Sequence, residues 1–212
     1  RLTPEYEAAV LEMGFYVPGE IRELCDIALP EIGVITNIGT VHAERAGSQE
    51  AIARGKAELV QALPAEGYAV LNYDDPLVLP MASQTQARVF TYGLDPRADL
   101  WADELTSFGL EGIGLRLNYH GDELSIRVPL LGRHSVHTVL RAAAVGILMG
   151  IPIGEIIQGM KTARYQMRLM TVRTRNGAMV IDDSYNAAPE STLAALNLLQ
   201  EMNGRRIAVL GD

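Results

Sequence analysis

A chain of 212 residues with 48% hydrophobic and 21% charged side chains has a globular composition, long enough for one good core and part of another. Its formal net charge of −8 argues against a general nucleic-acid or membrane surface, and no apolar run reaches transmembrane length. Cys25 is the single cysteine, so there is no internal disulfide framework; this suits the cytoplasm, and the thiol reads as an inert core group.

Apolar, β-branched runs at Ala8–Met13, Gly33–Gly39, Tyr68–Asn72 and Arg88–Tyr92 predict strands. Helices or turns lie between them, so residues 1–98 are expected to form a mostly parallel sheet flanked by helices. Ser48 suits a helix N-cap and Glu50 the positively polarised first turn; the helix should run to about Leu63, before Pro64. Ile52, Lys56, Leu59, Val60 and Leu63 then share one stripe, which sets an ammonium group on an apolar face. Two readings stand for Lys56. Its stem packs there while the amine snorkels to water. Alternatively, the amine sits in a polar pocket near His42, where burial favours the neutral form. A neutral amine can react with carbon dioxide to give a carbamate, an oxygen ligand suited to magnesium.

Residues 99–131 change character. Trp101–Thr106, Gly114–Tyr119 and Leu124–Pro129 read as an added antiparallel segment, with His120-Gly121-Asp122 as a turn. Residues 133–149 return to helix, with Val136, Leu140, Ala143, Ala144 and Ile147 as the buried stripe, and a short helix follows from Ile153 to Met160. A domain boundary is expected near Tyr165–Leu169. Beyond it, Met170–Arg175 and Ala178–Asp183 form a hairpin turned by Asn176-Gly177, Pro189 opens a helix, and Ile207–Leu210 reads as a strand. A β-α-β start of this kind predicts the opening of an incomplete Rossmann-like domain. The phosphate-cradling pattern G-x-x-x-x-G-K-[ST] is absent. Glu12, as a lone Glu before Gly14 and next to a predicted strand end, is either a ligand or an exposed turn residue. By residue type alone, His42 reads as a surface loop histidine, and Arg168 with Asp183 as a structural ion pair. His120 and His137 receive no role.

Five ordered blocks span nearly the whole chain. They are Leu11-Glu12-Met13-Gly14; Gly19-Glu20-Ile21; Val34 to Gly39 with His42, Glu44, Gly47-Ser48 and Lys56; Leu131-Gly132-Arg133-His134; and Asp182-Asp183-Ser184-Tyr185-Asn186. Together they resemble the Mur ligases, and among them the MurF branch. The resemblance implies a P-loop-like central domain over residues 1–166, lacking its N-terminal phosphate-loop part, and the start of a C-terminal domain over residues 167–212. It implies a piece of an ATP-dependent enzyme that joins D-alanyl-D-alanine to a UDP-linked muramoyl tripeptide through an acyl phosphate. The piece alone is expected to be inactive, and its parent monomeric, cytoplasmic and free of nucleic-acid or membrane partners.

By the same resemblance Glu12, His42 and carbamylated Lys56 hold magnesium, and Lys56, His42 and Arg168 are catalytic. Asn37, His134, Ser135, Thr138, Arg168 and Asp183 bind ATP, and Ser184, Tyr185 and Asn186 face the incoming amine. Two features depart from the family. Ser135 and Thr138 stand where an His-Asn-x-x-Asn pattern is usual, so adenine contacts differ, since hydroxyls offer fewer fixed contacts than amides. Ala188 replaces a second asparagine. Another ligase of the superfamily, glutamate-adding or folylpolyglutamate in type, and a non-catalytic nucleotide-binding module are the alternatives.

Overall fold

A computed structural model describes residues 3, 5–39, 48–162 and 169–211, and at its centre is one six-stranded sheet ordered as in the sequence. Strands β1 (Ile32–Ile35), β2 (Tyr68–Asn72), β3 (Arg88–Gly93) and β4 (Leu100–Ser107) are parallel neighbours. Strands β5 (Ile113–Tyr119) and β6 (Asp122–Val128) extend the same sheet antiparallel. The predicted antiparallel segment is therefore a continuation of the sheet.

Strands β3 and β4 overlap only at Tyr92–Gly93 and Leu100–Trp101, so a tight loop links them where a full parallel overlap would need a crossover. Asp99 closes that loop by accepting from the Thr91 amide and hydroxyl, each at 2.7 Å. The β5–β6 turn puts both His120 (φ 51°) and Gly121 (φ 89°) in the left-handed region, as a two-residue hairpin turn requires.

Burial explains the two composition regimes. In β2, Ala69 and Leu71 join one core while Val70 joins the other, so the strand is covered on both faces and reads as a continuous apolar run. One cover is α1 (Glu20–Ala28) with α2 (Gln49–Ala62); the other is α3 (Val136–Leu148) with α4 (Ile153–Thr162). Strand β5 alternates buried and half-buried residues over most of its length, which fits a sheet covered on one face only.

Helix α2 starts as expected: Ser48 Oγ accepts from the Ala51 amide at 3.1 Å. Its mid-helix glycine has a packing reason, because a Cβ on Gly55 would stand 2.0 Å from the Phe15 ring. Helix α1 has Gly19 at its N-cap, which offers no side chain. Glu58 of α2 supplies the missing acceptor, taking the Gly19 amide at 2.7 Å and the Arg22 amide at 3.0 Å. The lysine-bearing helix is thus fixed to its neighbour by both packing and capping.

Strands β7 (Met170–Arg173) and β8 (Met179–Asp182) form the expected hairpin, followed by α5 (Pro189–Glu201). Leu131, Leu169 and Leu198 bury together, with Ile181, Ala195 and Met202 packed around them. At the N-cap of α5, Ala188 has no polar side chain; the Ser191 hydroxyl accepts from the Ala188 amide at 3.0 Å.

Two predicted strands are absent. Ala8–Met13 is irregular, and Ile207–Leu210 pairs with nothing among the described residues. Both runs are apolar, yet Val10 is 94% and Val209 90% exposed. Apolar β-branched composition does not make a strand without a ladder partner and a face to bury. The expected boundary at Tyr165–Leu169 falls almost wholly outside the described residues. No helix among them is long and apolar enough to cross a membrane.

Candidate active site

The segments that leave β1 and β2 open onto one cleft, the edge where open α/β sheets place ligands. The cleft has a volume of about 560 Å³, lined by Ile38, Gln49, Asn72, Asp74, Asp75, Pro76, Leu77 and His137. Its floor is the backbone that leaves β1. Lys56 Nζ donates to the Asn37 carbonyl at 2.8 Å, and Gln49 Nε2 donates to the Ile38 carbonyl at 2.9 Å. Both side chains come from α2, so the helix that starts at Ser48 delivers two polar groups to one strand end.

The environment of Lys56 shifts it toward the neutral amine. Burial pushes its pKa below the ordinary lysine value, and the nearby Asp75 charge opposes that shift. Lys56 is half-buried and gives its amine to the Asn37 carbonyl; the pocket expected near His42 lies outside the described residues. Tyr92 Oη is pushed up to about 12, first by burial, with Arg141 opposing. It stays a neutral phenol, within 3.4 Å of the Ile35 carbonyl and 3.5 Å of the Thr36 carbonyl.

The opposite wall is a carboxylate cluster. Asp74 Oδ2 lies 2.7 Å from His137 Nε2 and accepts from the Leu94 amide at 2.8 Å. That bond ties α3 to the end of β3. Gly93 must lack a side chain there, because its Cβ would stand 2.7 Å from Asp74 Oδ1. Asp75 accepts from the Ile38 amide at 2.8 Å and the Leu77 amide at 2.9 Å.

The other predicted residues divide. His42 and Arg168 lie outside the described residues. Glu12 is exposed and sits on irregular chain, not at a strand end, because the strand expected around it does not form. His134 is exposed, in the short turn Arg133–Ser135 before α3. Ser135 is buried and donates its hydroxyl to the Leu131 carbonyl at 2.6 Å, so only its acceptor side is left for a ligand. Thr138 Oγ1 accepts from Arg141 at 2.8 Å.

Asp183 is half-buried, and its Oδ1 is buried with no hydrogen-bond partner among the described residues. Ser184 donates its hydroxyl (2.6 Å) and its amide (3.0 Å) to Asp182 Oδ1, and together they hold the Asp182 carboxyl below the usual range. Tyr185 is 75% exposed, and Asn186 is exposed. Among the described residues no hydrogen bond or ion pair joins residues 183–186 to the cleft, so the structure assembles Asn37 with Lys56 but not the C-terminal set. No group of three or more His, Cys, Asp or Glu among them could hold a metal ion.

Sequence reasoning missed Gln49, Asn72, Asp74, Asp75 and His137. A signal existed: an amide and two adjacent acids, then Pro76, directly after a buried strand. That composition marks a polar strand end at the ligand-binding edge.

The Mur ligase middle domain model matches residues 1–146. The UDP-N-acetylmuramoyl-tripeptide–D-alanyl-D-alanine ligase of Mycobacterium tuberculosis is 39% identical over 220 residues, covering 100% of this chain and 43% of the relative. The Bacillus subtilis enzyme of the same name is 35% identical over 209 residues, covering 97% and 44%. Among solved structures, MurF from Acinetobacter baumannii superposes with a TM-score of 0.89 at 26% identity, over 97% of this chain and 45% of that one. The MurF ligase of Thermotoga maritima, solved with ADP, has a TM-score of 0.80 at 21% identity over 91% and 44%, a likeness of fold. The chain spans less than half the length of these relatives.

Proposed function

Because this chain belongs to the Mur ligase family, we propose that it serves an ATP-dependent ligase adding D-alanyl-D-alanine to UDP-N-acetylmuramoyl-tripeptide in peptidoglycan synthesis. The observation that carries the reading is the Lys56 amine seated on the Asn37 carbonyl beside a polar cleft at the strand ends. The likeness to D-alanyl-D-alanine ligases over the full chain supports that substrate over the glutamate-adding and folylpolyglutamate alternatives. Residues 1–166 are the central domain and residues 167–212 begin the next. The place of action is the cytoplasm, where ATP and the UDP-linked precursor meet.

The chemistry follows from the bond to be made. A carboxylate does not acylate an amine until its oxygen becomes a leaving group. The acceptor carboxylate attacks the γ-phosphorus of ATP, giving an acyl phosphate and ADP. The amine of D-alanyl-D-alanine then attacks the acyl carbon, and phosphate leaves. The first step depends on positioning and charge neutralisation more than on covalent help from the protein.

Asn37, His134, Ser135, Thr138 and Asp183 are assigned to the nucleotide. Arg168 is assigned to the γ-phosphate, where a planar guanidinium suits phosphate oxygens. Ser184, Tyr185 and Asn186 are assigned to the amine substrate. Magnesium is assigned to Glu12, His42 and Lys56. Bound there, it would neutralise charge on the transferring phosphoryl group.

A protonated Lys56 has no lone pair with which to ligate a cation. Lys56 would do so as a carbamate, formed when its neutral nitrogen bonds the carbon of carbon dioxide and releases a proton. The lowered pKa of Lys56 supports this step.

The test is product formation by the full-length enzyme. With ATP and UDP-N-acetylmuramoyl-tripeptide, mass spectrometry should detect ligated product with D-alanyl-D-alanine and none with glutamate. Ligation of glutamate in place of the dipeptide would overturn the assignment.

A further inference from the structure

The backbone that receives the Lys56 amine is held from a neighbouring strand end. The β1–β2 ladder stops at the Ile35–Leu71 pair, which leaves the polar groups of Thr36–Ile38 without ladder partners. Side chains take them over. The Asn72 amide, only 7% exposed, donates to the Thr36 carbonyl at 2.9 Å. Asp75 Oδ2 accepts from the Ile38 amide at 2.8 Å. These bonds lie on either side of Asn37, whose own carbonyl receives Lys56 at 2.8 Å.

Both side chains are themselves fixed. Asn72 Oδ1 accepts from the Asp74 amide at 3.1 Å, and Asp75 Oδ1 accepts from the Leu77 amide at 2.9 Å. Their polar atoms are largely committed to backbone, which suits a brace better than a substrate contact.

We propose that Asn72 and Asp75 are positioning residues that lock Asn37 toward Lys56 and so set where the Lys56 side chain stands during phosphoryl transfer. Both line the cleft, but their hydrogen bonds run to the strand-end backbone, and it is through that backbone that they act. The inference rests on the ligase reading above. It goes beyond it by giving the Asn72–Asp75 turn a part in the rate.

Two variants of the full-length enzyme test it. Asn72→Asp keeps the size and the Asp74 contact but turns an oxygen toward the Thr36 carbonyl. Asp75→Asn keeps one carbonyl acceptor and loses the second. Each should lower kcat by on the order of a hundredfold while KM for ATP moves less than about threefold, since a displacement of about 1 Å suffices for such a loss. Amide hydrogen exchange at Ile38 should speed up in Asp75→Asn. A merely structural role would lower Tm and leave kcat of the folded enzyme alone. Should one variant fail to fold, the other decides.

Normal kcat in a folded variant, or unchanged Ile38 protection in Asp75→Asn, would overturn the proposal. Lys56→Ala is the separating arm. If it turns over normally, the ligase-site reading fails. If it is dead while both brace variants run at full rate, the brace alone fails.

Discussion

Lys56→Ala in the full-length enzyme is expected to abolish ligation, a loss on the order of a thousandfold or more in kcat. The expectation starts from helix periodicity. Lys56 shares a stripe with Ile52, Val60 and Leu63, which are all almost fully buried. Instead of snorkelling away from them, the amine turns to the Asn37 carbonyl at the strand end. Burial depresses its pKa, and a stability role does not require that placement.

Lys56→Met separates the two roles. It keeps an unbranched apolar stem on the face, so Tm should barely move while the rate is lost. Under the carbamate proposal, short-chain carboxylates added to Lys56→Ala should restore part of the rate, because their oxygens would stand in for those of a carbamate. Full activity of the alanine variant without rescue would remove Lys56 from the mechanism.

Gly112→Ala is expected to cost the fold about 3 kcal/mol, or roughly 10 °C in Tm for a domain of this size. Gly112 has φ +98° and ψ −157°, a region open to glycine alone. A Cβ there would stand 2.0 Å from the Val128 carbonyl oxygen and 2.8 Å from Pro129 Cα. Both are backbone atoms, at the end of the paired strand β6 and just beyond it, so neither can swing aside. Gly121 is the matched control: its φ is +89°, but nothing lies within 4 Å of its Cβ position. Gly121→Ala carries the backbone strain without the collision and should cost only about 1 kcal/mol. Thermal melts of the two variants make the comparison, and equal Tm values would contradict it.

Helix α2 was legible residue by residue. Ser48, Glu50 and Pro64 bound it, and local capping is encoded within a few positions. The His120-Gly121 hairpin and the Asn176-Gly177 turn were legible for the same reason. Strands at Ala8–Met13 and Ile207–Leu210 were overread, because a strand is completed by a partner that local composition does not announce.

In the site, Lys56 stood out since it breaks a pattern. Asn72, Asp74 and Asp75 did not, since polar residues after a strand look like any turn. Only the parallel register of β1 beside β2 brings Asn72 to Thr36, 36 positions away. His137 was passed over because its partner Asp74 is 63 positions away. Glu58 likewise reads as a solvated helix residue until α1 packs against it and needs a cap.

The central claim is that this strand-end cleft serves ligation through an acyl phosphate, and isotope transfer tests it directly. The UDP-linked tripeptide acceptor would be labelled with ¹⁸O in the carboxylate that is to be joined. The full-length enzyme would then turn it over with ATP and D-alanyl-D-alanine, and the released phosphate would be weighed by mass spectrometry. The account predicts one ¹⁸O in each inorganic phosphate, carried there when the phosphorylated oxygen leaves with the phosphoryl group, and the second ¹⁸O in the new amide carbonyl. Unlabelled phosphate released at the same rate as product would contradict it.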